Sequence, residues 1–392
     1  MPRADSPDNS DAYSLDAVAR AKLAALEAKA LLRSPQETAR DGVWVERSGK
    51  RLLSFSCNDY LGLSHHPAVK QAAADAIARF GVGAGASRLV TGNHPLYAGL
   101  ESKLAALKGA EAAMVFGSGY LANVGIIATL MGANDAVFVD ELAHNCILAG
   151  AELSGAARHI FRHNDVEHLA QLLTAERGKH RHALIATDGV FSMDGYLAPL
   201  PALATLAEDH AAWLLADDAH GVGVVGGGRG STFAFTPPPA VPLQMGTLSK
   251  AVGGYGGYLC ASKPVIDLLK SRAGSFVYST GLPPATVAAA SAALDVIASD
   301  PTTVAKPLAK ARLFTRALGL APAESAIVPV VLGAAKKALA AAALLQGEGF
   351  LVAAIRPPTV PQNSARLRVT FSAAHDDADI LRLADVIKTR VL

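Results

Sequence analysis

The sequence predicts an α/β protein with a mainly parallel central sheet covered by helices, and a smaller α+β domain at the C-terminal end. Three observations predict it. Between about Pro95 and Leu282, short apolar runs alternate with helix-length segments, the pattern of parallel strands joined by crossover helices. With 392 residues, 51% of them apolar and 18% charged, the chain has room for two packed domains and a large core. At Pro283-Pro284 the alternation stops, and an alanine-rich helix leads into a different mixture of strands and helices. The division expected is a helix-and-strand arm over 1–57, a large α/β domain over 58–284 and a small α+β domain over 285–392.

Residues 1–13 read as a polar tail. From Ser14 to about Arg33, Leu15, Val18, Ala19, Leu23 and Leu26 recur at helical spacing, with Ser14 as N-cap. Ser34-Pro35 ends that helix, because proline lacks an amide donor and disfavours helix before it. Segments 43–46 and 52–55 read as strands around the turn Ser48-Gly49-Lys50, and a turn-rich loop over 58–63 precedes a helix over 67–80. Strands of the large domain are expected at 112–116, 136–140, 156–161, 182–187, 212–216, 243–246 and 257–260. A helix over 285–299 follows, then strands near 327–332, 352–355 and 366–370 with helices near 334–346 and 378–389. Two glycine runs imitate a dinucleotide fingerprint. Gly81-Val82-Gly83-Ala84-Gly85-Ala86 follows a helix where the fingerprint needs a strand. Gly221-Val222-Gly223-Val224-Val225-Gly226 does follow a strand, but Gly227-Gly228-Arg229-Gly230 behind it cannot start a helix. Both are rejected, which argues against a NAD-linked dehydrogenase.

A formal net charge of +2 without any basic block argues against nucleic acid as a partner. Cys57, Cys146 and Cys260 have no CxxC spacing, so they give neither a zinc site nor a disulfide framework and fit a reducing cytoplasm. The stretch Met1-Pro2-Arg3-Ala4-Asp5-Ser6-Pro7-Asp8 has no apolar core of a secretory signal, and the apolar run 338–345 is too short to span a bilayer. The expectation is a cytoplasmic protein without a metal.

The chemistry centres on Gly246-Thr247-Leu248-Ser249-Lys250, followed by Gly253, Gly254, Gly256 and Gly257. Glycines there leave room for a bulky group, and a buried lysine of lowered pKa condenses with carbonyl compounds. Most lysines only decorate surfaces, so the partners decide. In Ala212-Trp213-Leu214-Leu215-Ala216-Asp217-Asp218-Ala219-His220 an apolar strand ends in two acids and a histidine, where open α/β sheets hold their ligands. Such an acid either caps the next loop or faces a ring nitrogen and keeps it protonated. The latter pairing is what pyridoxal phosphate needs. Phe116-Gly117-Ser118-Gly119-Tyr120 turns from strand into helix, and the free amides of that turn suit a phosphate or merely connect. His144 is a structural histidine or a flat ring to lay on a cofactor, and Ser192 a turn serine or a hydroxyl donor.

In this order the residues resemble the α-oxoamine synthases, fold-type-I enzymes that use pyridoxal 5′-phosphate, from about Ala30 to the C-terminal end. The resemblance rests on Cys57-Asn58-Asp59-Tyr60-Leu61-Gly62-Leu63-Ser64, Gly189-Val190-Phe191-Ser192-Met193-Asp194-Gly195, Asp217-Asp218-Ala219-His220-Gly221 and Gly246-Thr247-Leu248-Ser249-Lys250. Ile355-Arg356-Pro357-Pro358-Thr359-Val360-Pro361 with Ala365-Arg366-Leu367-Arg368 brings it nearest to the members serving biotin synthesis. The resemblance implies that Lys250 carries the cofactor and moves the α-proton, Asp217 pairs with the ring nitrogen and His144 stacks on the ring. Ser192 and His220 would meet the ring oxygen. Ser118, the amides of Gly119 and Tyr120, the Thr247 hydroxyl and, from the neighbouring subunit of a homodimer, Thr280 would take the phosphate. Arg356 would hold the amino-acid carboxylate with Asn58, Thr359 and Arg33 on the substrate side, leaving Arg366 and Arg368 as strand-face structure.

The implied reaction is decarboxylative condensation of L-alanine with a pimeloyl thioester of coenzyme A or of acyl carrier protein. A sister synthase such as glycine C-acetyltransferase is the alternative. The chain departs from the family in a shortened stretch over 312–320 and in Ser87-Arg88-Leu89-Val90-Thr91-Gly92, where Leu89 suits a long acyl chain.

Overall fold

The structure is a computed structural model and describes residues 14–28, 31–32 and 34–392. The described residues fall into two units, one reaching Ala39 and including Glu46–Lys50, the other comprising Arg40–Val45 and Arg51–Leu392. In the first, α1 (Leu15–Ala28) starts where Ser14 Oγ accepts the Ala17 amide at 3.1 Å, as its N-cap role predicts. It stops short of the expected end near Arg33, and Leu15, Val18, Leu23 and Leu26 are exposed along it.

Three short strands follow, β1 (Ala39–Asp41), β2 (Trp44–Arg47) and β3 (Lys50–Ser54). Helix α2 (Pro67–Phe80) has proline at its first turn, where no amide donor is needed, and α3 (Leu96–Lys108) ends at Gly109 with φ 62°. Then β4 (Ala112–Phe116), α4 (Gly119–Leu130), β5 (Ala136–Asp140), α5 (Asn145–Ser154), β6 (Ala157–Phe161) and α6 (Val166–Glu176) alternate. So do β7 (Ala183–Asp188), α7 (Leu200–Asp209), β8 (Trp213–Asp217), β9 (Leu243–Thr247) and β10 (Gly257–Ala261). Every strand of the large domain predicted from the apolar runs is present, within a residue or so at each end.

These strands form one seven-stranded sheet in the order β4-β10-β9-β8-β7-β5-β6. All run the same way except β10, which is antiparallel to both neighbours. Both faces are buried: Val137 and Val139 of β5 join one apolar cluster, while Ala136 and Phe138 join another. That is why these strands read as unbroken apolar runs. The Gly226–Gly228 run closes a single 3-10 turn rather than a helix.

Helices α8 (Lys263–Arg272), α9 (Gly274–Val277) and α10 (Pro284–Ser299) lead to the C-terminal part. The sequence reading left 301–318 without an element; the structure has α11 (Pro301–Leu318) there. Asp300 caps it by accepting the Thr303 amide at 2.9 Å, and Gly319 (φ 68°) closes it. Pro307 inside the helix hid the pattern, since proline usually marks a break. The rest is β11 (Ile327–Gly333), α12 (Ala335–Gly347), β12 (Phe350–Leu351), β13 (Ala353–Ile355), β14 (Ala365–Thr370) and α13 (Asp377–Arg390). Strands β11, β14 and β13 pair antiparallel, whereas β12 pairs in parallel with Leu53 and Ser54 of β3. Among the described residues no helix is long and apolar enough to cross a membrane.

Leu53 and Phe55 share a core with Phe314, Phe350, Phe371 and the helices of the C-terminal part. His375 stacks on Phe55 at 4.1 Å. Its Nδ1 accepts the Ser372 amide at 2.9 Å and its Nε2 donates to the Ser54 carbonyl at 3.0 Å, which fixes a neutral tautomer. Burial pushes its pKa down to about 4. The unfolded chain binds the proton near pH 6.5. Stability from this group is therefore complete above that pH and is lost as pH falls toward 4, at up to about 1.4 kcal/mol per pH unit. Unfolding midpoints measured between pH 7 and 4 should fall less steeply in His375→Gln than in the parent. Equal slopes would rule His375 out as a source of the acid sensitivity.

Candidate active site

Parallel strands bring their C-terminal ends to one edge of the sheet, so Asp140, Asp188, Asp217 and Thr247 end side by side. Asp188 and Asp217 are register partners on β7 and β8, about 4.8 Å apart as backbones. Burial, then the neighbouring Asp217 carboxylate, holds the Asp188 pKa well above its usual range. Asp188 Oδ1 accepts the His144 amide at 2.9 Å, placing His144 at the mouth of α5. Asp217 is 5% exposed; its Oδ2 accepts from Asn123 Nδ2 at 2.6 Å and its Oδ1 from the Ala219 amide at 3.0 Å. The adjacent Asp218 points elsewhere: Lys108 Nζ, equally buried, donates to it at 2.6 Å. Only one of the two acids is thus available to a ligand.

Lys250 follows β9 on a tight turn in which the Gly253 amide donates to its carbonyl at 2.8 Å. Contrary to the sequence reading, the glycines there do not make room for a bulky group. A Cβ on Gly253 would lie 2.4 Å from the Ser64 amide nitrogen, and one on Gly257 2.4 Å from the Ser118 carbonyl oxygen. They serve close backbone approach. The Lys250 amine lies 2.8 Å from His220 Nε2, and His220 Nδ1 lies 2.6 Å from the Tyr60 hydroxyl. Tyr60 donates to Asn58 Oδ1 at 3.1 Å, and Arg368 donates to the same oxygen at 3.2 Å and to the Ser192 carbonyl at 2.5 Å. One proton assignment satisfies the chain: Lys250 donates to Nε2, and the Nδ1 hydrogen goes to Tyr60, which donates onward to Asn58. Burial lowers the Lys250 pKa, although Asp217 and Asp188 oppose it. Burial and the Lys250 charge hold His220 well below its normal value, and burial raises Tyr60 to about 12. The result is a poised amine beside a neutral imidazole.

At the other side, Ser118 caps α4 by accepting the Leu121 amide at 3.2 Å. Among the described residues the amides of Gly119 and Tyr120 find no backbone acceptor, so they point out of the helix start. The Thr247 hydroxyl donates to the Gly256 carbonyl at 2.7 Å and stands 2.8 Å from the Ser249 hydroxyl. Between these groups lies a cavity of about 230 Å³, lined by Ser118, His144, Asp188, Asp217, His220 and Lys250 among others. A pyridoxal phosphate fits this donor set, which offers anion donors, an acid and an amine to one cavity. Larger clefts of about 680 and 850 Å³ contain none of these residues.

The family model for class I and II aminotransferases matches residues 50–387. The chain belongs to that family. It is 63% identical to 8-amino-7-oxononanoate synthase of Beijerinckia indica subsp. indica over 95% of this chain and 97% of that protein. Among solved structures, a serine palmitoyltransferase from S. paucimobilis with a bound PLP–myriocin aldimine superimposes with TM-score 0.88 at 27% identity, covering 98% of both chains. An 8-amino-7-oxononanoate synthase from Francisella tularensis does so with TM-score 0.73 at 26% identity, over 87% of this chain and 98% of that one. The architecture is therefore that of the fold-type-I transferases, as the sequence predicted.

Within this class I and II aminotransferase fold, Ser118, Gly119, Tyr120, His144, Ser192, Asp217, His220, Thr247 and Lys250 all line the cavity. Asn58 joins it through Tyr60. Arg356 and Thr359 are not among the lining residues; they lie in the turn after β13, where the Thr359 amide donates to the Arg356 carbonyl at 3.0 Å. Thr280 is exposed and bridges Ser87, away from this chain's own cavity. Arg33 lies outside the described residues. Sequence reasoning missed Tyr60, Asn123, Ser249 and Arg368. Arg366 does serve the strand face, pairing with Asp194, but Arg368 reaches the polar chain that ends on Lys250. Alternation cannot separate two arginines two residues apart, since both face the same side of β14.

Proposed function

We propose that the protein is an 8-amino-7-oxononanoate synthase, joining L-alanine to a pimeloyl thioester with loss of carbon dioxide. The observation that carries the reading is the convergence of Asp217 and Lys250, from the ends of neighbouring strands, on one cavity. Identity of 63% along nearly the whole chain supports the choice within the family. Pyridoxal phosphate, when bound, supplies the electron sink for an α-carbanion. Lys250 would hold it through its amine, Asp217 would face its ring nitrogen and His144 its ring. Ser118, the amides of Gly119 and Tyr120, and the Thr247 and Ser249 hydroxyls would hold its phosphate. The Lys250 Nζ, whose pKa burial lowers, would take and return the substrate α-proton. His220 Nε2 orients that amine, and Tyr60 and Asn58 hold His220 in one tautomer.

For the amino-acid carboxylate we place Arg368 ahead of Arg356. A planar guanidinium presents two parallel donors to a carboxylate, and Arg368 already stands in the polar network at Lys250. Arg368→Lys should raise the KM for alanine at least about tenfold, given the worth of a charge-assisted bond, while Arg356→Lys changes it little. The reverse pattern would restore Arg356 to that role.

A homodimer is part of the reading. Tyr278 is 89% and Val82 77% exposed near Thr280 in sequence and fold, surfaces suited to a second copy. The three free cysteines support a cytoplasmic setting. Higher structural similarity to serine palmitoyltransferase keeps a sister synthase as the competing reading. Assays of alanine, serine and glycine against acyl thioesters of graded length decide between them. Each buried methylene is worth about 0.8 kcal/mol, so preference should climb toward pimeloyl with alanine. A best pair of glycine with acetyl, or serine with palmitoyl, would replace the proposal.

A further inference from the structure

We propose that His159, Glu176 and His180 bind a divalent transition-metal cation of the zinc class at the outer edge of the central sheet, apart from the cavity around Lys250. One ligand atom from each lies within 4.8 Å of the others. His159 sits on β6, the last strand of the sheet. Glu176 is the final residue of α6, and His180 follows the short 3-10 turn Arg177–Lys179. The elements that meet here are held independently of any ion. Phe138 stacks on the His159 ring at 5.0 Å, and Arg177 donates to the His180 carbonyl at 2.8 Å. The two imidazoles meet edge to face, 5.8 Å between centroids with their planes at 65°.

The second observation is an orphan. His159 Nε2 is buried with no hydrogen-bond partner, and buried polar atoms are rarely left so without a reason. Glu176 is at present engaged by Lys179, whose Nζ lies 2.9 and 3.0 Å from its two oxygens. That lysine side chain is 63% exposed, so the pair is of little net worth and the amine can turn to solvent. Two imidazoles and a carboxylate, with a fourth position left for water, suit Zn²⁺ and its neighbours Co²⁺, Ni²⁺ and Cu²⁺. Mg²⁺ and Ca²⁺ prefer oxygen shells and are not expected. Bound there, the cation would tie the end of α6 to the edge strand. The sequence expectation of no metal rested on cysteine spacing and did not weigh histidines brought together by folding.

The test is calorimetric titration of the cofactor-loaded protein, without a histidine tag, with ZnCl₂. We expect saturable binding of one ion per chain and a thermal midpoint that rises with Zn²⁺. His159→Gln and His180→Ala should each weaken binding by about a hundredfold or more and leave turnover unchanged. Lys179→Ala, a surface change that removes the competing amine, should tighten it. Absence of saturable binding, or binding that survives both histidine variants, overturns the site; Lys179→Ala binding no tighter than the parent removes Glu176 from it.

Discussion

Lys250→Ala is expected to lower turnover roughly ten-thousandfold, the upper range for removing a positioned acid–base group, and to abolish covalent retention of the cofactor. The argument is geometric. Lys250 is placed at the cavity with its amine 2.8 Å from His220 Nε2 and with burial lowering its pKa. Among the described residues, Lys108 is the other deeply buried lysine amine, but Asp218 at 2.6 Å and the Arg229 carbonyl at 2.7 Å occupy it. Among the described residues no second amine is placed to take over. Borohydride reduction of the yellow holoprotein followed by peptide mapping should place the label on Lys250. A label on any other lysine, or a variant that turns over within tenfold of the parent, ends the assignment.

Asp217→Asn should keep the fold and bind the cofactor yet lose about a hundredfold or more in turnover, as when other preorganised electrostatic groups are removed. A neutral amide cannot favour a protonated ring nitrogen. The substitution is nearly isosteric; its single carbonyl oxygen keeps one of the two N–H bonds the carboxylate accepts now, from Asn123 to Oδ2 or from the Ala219 amide to Oδ1, and its NH2 faces the other donor. Loss of charge is therefore separated from loss of structure by measuring the fold and the bound cofactor directly. Circular dichroism and cofactor stoichiometry establish the fold, and steady-state kinetics measures the loss. Near-parental turnover in a folded, loaded variant would refute the role of Asp217.

The strands were legible because each is buried on both faces, so a local apolar run is also a tertiary fact. The residues at their C-terminal ends were legible for the same reason, since parallel strands carry their ends to one edge whatever the order of pairing. Helix α11 was not, because Pro307 is a strong local signal that the packing of α11 overrides. Nor was the antiparallel sense of β10, which no residue within it specifies.

By itself, then, the sequence determined the alternating architecture; Ser118, His144, Asp217, His220, Thr247 and Lys250 were named from short motifs and the resemblance they carry, and the structure brings them to one cavity. Tertiary structure alone decided which neighbours complete that group. Arg368 and Asn58 are separated by 310 residues and meet at 3.2 Å. Asn123 and Asp217 lie 94 residues apart and meet at 2.6 Å. His159, Glu176 and His180 share no recognisable spacing and converge only where β6, α6 and the turn behind it pack. A hydrogen bond depends on position to a fraction of an ångström. Such positions are set by the summed packing of a whole core and leave no trace in local periodicity.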